Sequence, residues 1–161
     1  HLAARGIDFE QAGQSQAQNA DFLLIGDASR AALRFYQPGL EALVSILIER
    51  LNNERPTLIV GSSYEFLSSR IGLNASVETT RVSDFVSIRV NNSDVVGYLN
   101  SSSNLPGLEI RGGFIATKLY GPLLAFNPDL LADILHRLGA EPAYPEGMLK
   151  SVESYRARIT S

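Results

Sequence analysis

Residues 57–67 read TLIVGSSYEFL, and this stretch decides the fold. Its first four residues are apolar or β-branched and stop at Gly61, which is typical of a strand buried on both faces of a parallel sheet. A similar short run, FLLI at residues 22–25, stops at Gly26. Between the two runs, residues 39–52 carry apolar side chains at spacings of 3, 1, 3, 1 and 3, which predicts a helix with one buried stripe. The order strand, helix, strand predicts a right-handed parallel crossover.

The turn that follows the second strand is the predicted place for a functional site. We expect the two strands to be parallel neighbours or near-neighbours in the centre of a sheet. Residues 61–63 would then form a tight turn at the carboxyl end of the second strand, where open α/β sheets place their sites.

The remaining sequence predicts a β-rich extension, one further helix and a tail. Residues 76–115 contain β-rich stretches that favour a meander beside the parallel core, at residues 77–82, 85–90, 95–99 and 108–115, with a turn at residues 91–92. Asn127 and Pro128 predict a helix start, with asparagine as the N-cap, and Gly139 predicts its end. We expect residues 140–161 to form a tail with a short surface helix, packed on the same domain.

The sequence is predicted to begin inside a helix. Residues 2–6 read as the last turn of a helix with its terminal glycine, and residues 7–10 alternate like a short strand. Residues 11–19 are small and polar and predict a loop. The α/β domain is therefore expected to occupy residues 1–139.

Composition narrows the possible functions. The chain has 161 residues and a formal net charge of −3, without a basic block, so nothing favours nucleic acid or an anionic membrane as a partner. No apolar run approaches the roughly 20 residues that span a bilayer, so membrane insertion is not expected. The chain has no cysteine, which removes disulfides and thiolate sites and is compatible with a cytoplasmic location. The acidic residues do not stand at metal-ligand spacing, so neither a metal nor a cofactor is predicted.

Three segments of the sequence resemble the motifs of one protein family and follow one another in the same order. They read PTLIVGSSYEFL at residues 56–67, VGYLN at residues 96–100 and TKLYGPLLAFNP at residues 117–128. Together they resemble the class I glutamine amidotransferases of the cobyric acid synthase type, in particular the glutaminase subunit of lipid II isoglutaminyl synthase. The resemblance implies a three-layer, flavodoxin-like α/β fold with a mainly parallel sheet. It also implies that a strand and a helix are missing before His1.

The resemblance implies a degenerate active site. The family hydrolyses glutamine through a cysteine at the strand-to-helix turn, assisted by a histidine. The corresponding positions here are Gly61, which has no nucleophile, and Tyr120, whose usual pKa of about 10 makes it a poor base at neutral pH. We expect Tyr120 to face Gly61 across the cleft and to lean into the space that a thiol would occupy. Glutamine hydrolysis is therefore not expected.

The same resemblance implies ligands and a partner. Arg81 stands near the position of the arginine that binds the glutamine carboxylate, and Ser62, Tyr64 and Asn100 are the other candidate binding residues. The expected ligand is glutamine or another small molecule. The expected protein partner is a Mur-ligase-like subunit, in a pathway that amidates a cell-wall precursor.

Other interpretations stay open at this stage. The chain could be an active amidotransferase that uses unusual residues, or one whose cysteine was replaced by engineering. Ser62 or Ser63 could act as a nucleophile, but the chain has only His1 and His136 as histidine bases. Asp27 could form an edge of the pocket or simply cap a turn.

Overall fold

The computed structural model describes residues 10–159, apart from residues 12, 91, 92 and 146. The described residues form a mixed α/β structure with two open sheets. In chain order, the elements are α1 (Gln14–Asn19), β1 (Leu23–Ile25), α2 (Arg30–Asn52), β2 (Thr57–Val60), α3 (Ser62–Leu67), β3 (Glu78–Val90), β4 (Ser93–Ser103), β5 (Leu108–Arg111), β6 (Phe114–Thr117), β7 (Leu119–Tyr120), α4 (Leu123–Phe126), α5 (Pro128–Arg137) and α6 (Met148–Ile159).

The first sheet contains the predicted crossover. Its order is β1-β2-β6-β5, in which β1, β2 and β6 are parallel and β5 is antiparallel to β6. The parallel pairing of β1 with β2 is therefore confirmed. The prediction that residues 22–25 are buried on both faces is wrong for Leu24, which is 53% exposed. Leu24 lies in β1, which is an edge strand among the described strands, so fewer neighbouring residues cover its side chain.

Helix α2 connects β1 to β2 and is longer than its periodicity predicts. It begins at Arg30, where the Ser29 hydroxyl accepts a hydrogen bond from the Ala32 amide at 3.2 Å. Pro38 lies inside the helix and is exposed, although proline usually interrupts helices. Despite its length, neither α2 nor another helix in the described part of the chain has the apolar length needed to cross a membrane.

Two apolar clusters lie on opposite faces of the first sheet. Ile59 and Phe114 belong to one cluster, which includes buried residues of α2 and α3. Leu58 and Ile115, their neighbours along the same strands, belong to the other cluster, which includes buried residues of α5 and the second sheet. Because successive strand residues point to opposite faces, this alternation places one core on each side of the sheet.

The β-rich extension is a second sheet rather than a simple meander. Its order is β3-β4-β7, and both pairs are antiparallel. Strands β3 and β4 form one long hairpin, and its predicted turn at residues 91–92 lies outside the described residues. The predicted single stretch over residues 108–115 is wrong, because the chain reverses at Gly112, whose φ is +54°. The returning strand β6 joins the first sheet beside β2.

Asn127 has a different role from the one predicted. It precedes α5, and Pro128 occupies the first position as expected, but the asparagine side chain makes no cap hydrogen bond. Its Nδ2 donates to the carbonyl oxygens of Val96 and Leu123, both at 2.8 Å, and its Oδ1 accepts from the Val96 amide at 2.7 Å. The buried side chain therefore fastens the start of α5 to β4. Gly139 follows the helix with a φ of +72°, as predicted for a terminating glycine.

The first and last described helices both contact the rest of the domain. The loop predicted at residues 11–19 is wrong, because α1 forms there with buried Ala17 on its inner side. The helix end predicted at residues 2–6 and the strand predicted at residues 7–10 lie outside the described residues, except for Glu10, which is not in a strand. In the tail, the ring of Tyr155 on α6 stacks on that of Phe126 in α4 with centroids 4.9 Å apart, although α6 itself buries no residue.

Candidate functional site

The turn after β2 has the predicted geometry. Gly61 has a φ of +64° and a ψ of −133°, a backbone conformation that essentially only glycine adopts without strain. Its amide donates to the Thr117 carbonyl oxygen at 2.7 Å, which ties the turn to β6. Helix α3 begins at the next residue. The prediction of a tight turn at the carboxyl end of this strand is confirmed.

Asp27 occupies the space beside this turn. Its Oδ1 accepts a hydrogen bond from the Ser62 amide at 2.9 Å, so the carboxylate caps α3 from across the sheet edge. A Cβ atom added to Gly61 would lie 2.8 Å from the Asp27 Cγ and closer still to Oδ1. A side chain at position 61 therefore fits only if the Asp27 side chain rotates away. The sequence left two interpretations of Asp27 open, and the structure combines them, because the residue caps a helix and also forms the edge of the site.

Tyr120 lies against the same turn. Its hydroxyl oxygen is 3.3 Å from the Ser62 Oγ, 58 residues away in sequence. This contact brings β7 next to the start of α3, as expected if Tyr120 lies near Gly61. The atoms nearest to a Cβ added at position 61 belong to Asp27, and the expectation that the Tyr120 ring leans into the space of a thiol stays a prediction.

Burial keeps the Tyr120 phenol protonated. The loss of hydration raises the pKa of Tyr120 above its usual value, since the ionised phenolate is disfavoured away from water. The hydrogen bond with Ser62 and the positive charge of Arg81 oppose this rise, while Asp27 and Glu65 add to it. A neutral phenol can donate a hydrogen bond to a ligand, but it is not a base at neutral pH.

Arg81 and Asn100 extend the site along the second sheet. The Nε and Nη2 atoms of Arg81 donate to the Asn100 Oδ1 at 2.9 and 2.6 Å. Arg81 is exposed, Asn100 is half-buried, and Arg81 is near enough to Tyr120 to influence the pKa of its phenol. The structure therefore brings four candidate residues, Ser62, Arg81, Asn100 and Tyr120, to one surface. Their roles in binding stay predictions.

Tyr64 lies apart from this surface. Its side chain is fully buried within the cluster formed by α2, α3 and the sheet, and its hydroxyl donates to the Glu109 Oε2 at 3.1 Å. Burial raises the pKa of Tyr64 well above the usual value, with a further contribution from Glu109. The residue therefore holds α3 in place and offers no accessible group to a ligand.

Two charged residues behind the turn were missed by the sequence reasoning. Lys118 is buried, and its Nζ donates to the Ser103 carbonyl oxygen at 2.6 Å. Glu65 accepts a hydrogen bond from Ser101. Burial lowers the pKa of Lys118, and the negative charge of Glu65 opposes that change. Glu65 lies in the segment at residues 56–67 and Lys118 in the segment at residues 117–128, both of which carry the resemblance. Their proximity could not be predicted, because it depends on how the second sheet packs against α3.

The contacts of the serines argue against acyl transfer. The Ser63 Oγ donates to the Gly26 carbonyl oxygen at 2.7 Å, and the Ser62 Oγ contacts a phenol rather than an imidazole. His136 is on α5, where its Nε2 lies 3.6 Å from the Glu141 Oε2. His1 lies outside the described residues. Neither serine therefore has a described histidine beside it, and histidine is the commonest base for a serine nucleophile.

The site is suited to recognition. It offers hydroxyls, an amide and a guanidinium on a surface that reaches solvent, with a carboxylate at its edge. Within the described residues, no group of three histidine, aspartate or glutamate side chains is placed to hold a metal ion. No protein-family model matches the chain, and no curated protein matches it either. A function has therefore to be inferred from the residues and contacts of the site.

Proposed function

We propose that this chain is a glutamine amidotransferase-like subunit that does not hydrolyse glutamine. It acts as a binding or regulatory partner of a Mur-ligase-like subunit in the amidation of a cell-wall precursor, in the cytoplasm. The observation that carries the proposal is the turn at Gly61, where a side-chain nucleophile is absent and the Asp27 carboxylate lies against the position that a Cβ atom would take. An acyl transfer needs an activated nucleophile at this point, and the described residues supply none there.

The three-layer, mainly parallel fold of the family is part of the same proposal. It is supported by the three parallel strands of the first sheet and by the apolar cluster on each of its faces. It is also supported by the contact of Tyr120 with Ser62, the residue after Gly61, since only the resemblance predicts that Tyr120 lies near this turn.

The proposed small ligand carries a carboxylate. Arg81 uses Nε and Nη2 on Asn100, so its Nη1 points to no described acceptor and can pair with an added carboxylate. Glutamine fits this chemistry, as does another small amino acid. Ser62 and Tyr120 supply hydroxyls next to it.

An assay of ammonia release from glutamine tests the proposal. We expect no turnover above buffer for the native chain, and none for the Ser62→Ala and Ser63→Ala variants. Turnover at an enzyme-like rate that is lost in either variant would refute the proposal and make that serine the nucleophile. Turnover that survives both changes would instead favour the second candidate, an active amidotransferase with unusual residues.

A binding measurement tests the partner. The purified chain is mixed with the Mur-ligase-like protein of the same source organism, and the complex is sought by size-exclusion chromatography with light scattering. A stable one-to-one complex is expected. If the two proteins elute separately at concentrations well above those in the cell, the role as a ligase partner is wrong.

A further inference from the structure

Strand β3 is a long edge strand. It runs from Glu78 to Val90, and β4 is its one hydrogen-bonded neighbour among the described strands. Its length of 13 residues exceeds the roughly 5–6 residues of a typical strand. Proteins commonly protect a long edge with proline or lysine residues, and β3 contains neither. Its pairing with β4 is irregular only between Glu78 and Val82, so the remainder of the edge is regular.

The contacts of Asn127 identify the main-chain groups that face this edge. Ser87 lies opposite Val96 in the pairing of β3 with β4. Both main-chain groups of Val96 bond to the Asn127 side chain, so they are not exchanged with Ser87. In an antiparallel pair, hydrogen-bonded and non-hydrogen-bonded residues alternate. The N–H and C=O groups of Phe85, Ser87 and Arg89 therefore point away from β4, towards the free edge.

The hydrogen bond of the Phe85 amide agrees with this assignment. The amide donates to the Oδ1 of the neighbouring Asp84 at 2.8 Å. A local side-chain bond of this kind takes the place of a hydrogen bond to another strand. A row of donors and acceptors spaced along an extended chain is complementary to another β-strand rather than to a compact ligand. The chemistry of the edge therefore calls for a strand.

The charges along β3 determine how a second copy of the same strand could pair with it. A two-fold axis perpendicular to the sheet keeps every residue on its own face, so odd-numbered residues lie opposite odd-numbered ones. The charged residues of β3 have both signs and are Glu78, Arg81, Asp84 and Arg89. Among symmetric registers that pair seven or more residues, those centred on residues 81 to 86 bring like charges opposite or diagonal to each other, which is unfavourable. The register centred on Ser87 pairs residues 84–90 and brings no like charges together.

The register centred on Ser87 also creates favourable contacts. It places Arg89 opposite Phe85 of the second copy, where a guanidinium can stack on the ring. On the other face it places Val86 opposite Ile88. Both of these side chains are half-buried against the apolar cluster that includes α5, so the pairing extends that cluster.

We propose that the edge of β3 binds a second copy of this chain, by antiparallel pairing of residues 84–90 about a two-fold axis at Ser87. Ser87 exchanges two main-chain hydrogen bonds with its own copy, and each of the two pairs of Phe85 with Arg89 exchanges two more. The two three-stranded sheets become one continuous sheet, with the candidate sites of both copies on the same face. The inference goes beyond the proposed function and does not depend on it. A dimer that binds two ligase subunits keeps their one-to-one ratio.

Single cysteine variants report the contact directly, because the chain has no cysteine of its own. Ser87→Cys places the new thiol opposite its own copy, where Cα atoms are about 5.5 Å apart, a separation that a disulfide can span. Mild oxidation should therefore convert most of this variant into a covalent dimer. Ser83→Cys is the matched control. Residue 83 is exposed on the same strand, but its two copies would be about 27 Å apart in this register, so this variant should stay monomeric on a non-reducing gel.

A proline at position 87 separates pairing from folding. The Ser87 amide faces the free edge, so Ser87→Pro removes no hydrogen bond to β4, and proline is tolerated at such edge positions. In analytical ultracentrifugation, the native chain should form a species of twice the 17.5 kDa of one chain as its concentration rises. Ser87→Pro should raise the dissociation constant at least about tenfold, because two main-chain hydrogen bonds are lost. Circular dichroism checks that the variant keeps the native fold.

Several outcomes would overturn the pairing of β3. A native chain that stays monomeric at every concentration would do so, and so would Ser83→Cys that cross-links as efficiently as Ser87→Cys. A dimer that Ser87→Pro leaves unchanged would assign the contact to another surface. A monomer that captures an extended segment of a different protein along β3 would assign the edge to that protein. Glutamine turnover would refute the proposed function and would leave these measurements unchanged.

Discussion

Replacing Gly61 with alanine should destabilise the chain by about 2–4 kcal/mol. The backbone of Gly61 has a φ of +64°, and a residue with a side chain in such a conformation is strained by about 1–3 kcal/mol. The new Cβ also meets Asp27, whose Cγ is 2.8 Å from its position. If Asp27 rotates into solvent to relieve the contact, its hydrogen bond to the Ser62 amide is lost, which adds about 1 kcal/mol.

Urea unfolding followed by circular dichroism measures this effect. For a domain of 161 residues, each kcal/mol corresponds to about 2–4 °C in melting temperature, so a thermal melt gives a second estimate. The informative comparison is a double-mutant cycle with Asp27→Ala. In that background the hydrogen bond is already absent and the contact is relieved, so Gly61→Ala should cost about 1 kcal/mol less than in the native chain.

Strict additivity of the two substitutions would contradict this reasoning. It would mean that Asp27 and a side chain at position 61 do not compete for one space, and the central observation behind the proposed function would lose its support. A Gly61→Ala variant as stable as the native chain would contradict the backbone geometry itself.

Three further predictions concern other parts of the chain. Arg50→Met should lower the free energy of unfolding by about 3 kcal/mol in urea denaturation, because it removes the donor to the buried Ala17 carbonyl oxygen and to the Thr57 Oγ1. The phenols of Tyr64 and Tyr120, whose pKa values are raised by burial, contribute stability that is fully present below the unfolded tyrosine pKa of about 10 and is lost as pH rises through the higher folded values. An absorbance titration of phenolate should therefore show late ionisation that coincides with alkaline unfolding, and ionisation of all tyrosines at about pH 10 would contradict it. Arg81→Ala should weaken the binding of glutamine at least about tenfold by calorimetry, whereas Arg89→Ala, which breaks only an exposed pair with Asp94, should leave it unchanged.

The parts of the fold that the sequence predicted are those with strong local signals. The run at residues 57–60 followed by a glycine produced the central strand, its turn and the following helix. The spacing of apolar residues after Pro128 predicted α5. In both places the side chains that carry the pattern are the ones that become buried, so pattern and structure agree.

The parts that the sequence did not predict depend on contacts between distant segments. The helix was predicted to begin at Gly39, after Pro38, but both residues lie inside α2, where they are exposed and little packing is disturbed. The reversal at Gly112 was hidden because apolar residues stand on both sides of it. By contrast, the proximity of Asp27 and Gly61 could have been predicted. Each residue follows one of two neighbouring parallel strands, and the carboxyl ends of such strands meet at one edge of the sheet.

The buried side chain of Arg50 makes three segments of the chain dependent on one another. From α2 it donates to the Thr57 Oγ1 at 2.9 Å, to the Pro56 carbonyl oxygen at 2.7 Å and to the Ala20 carbonyl oxygen at 2.8 Å. The six residues of α1 are too few to form a stable helix alone. Their amide protons should therefore exchange with solvent at the rate set by the opening of α2 and β2. In a hydrogen-exchange experiment this short helix would behave as part of the largest cooperative unit, although its position near one end of the chain suggests local fraying.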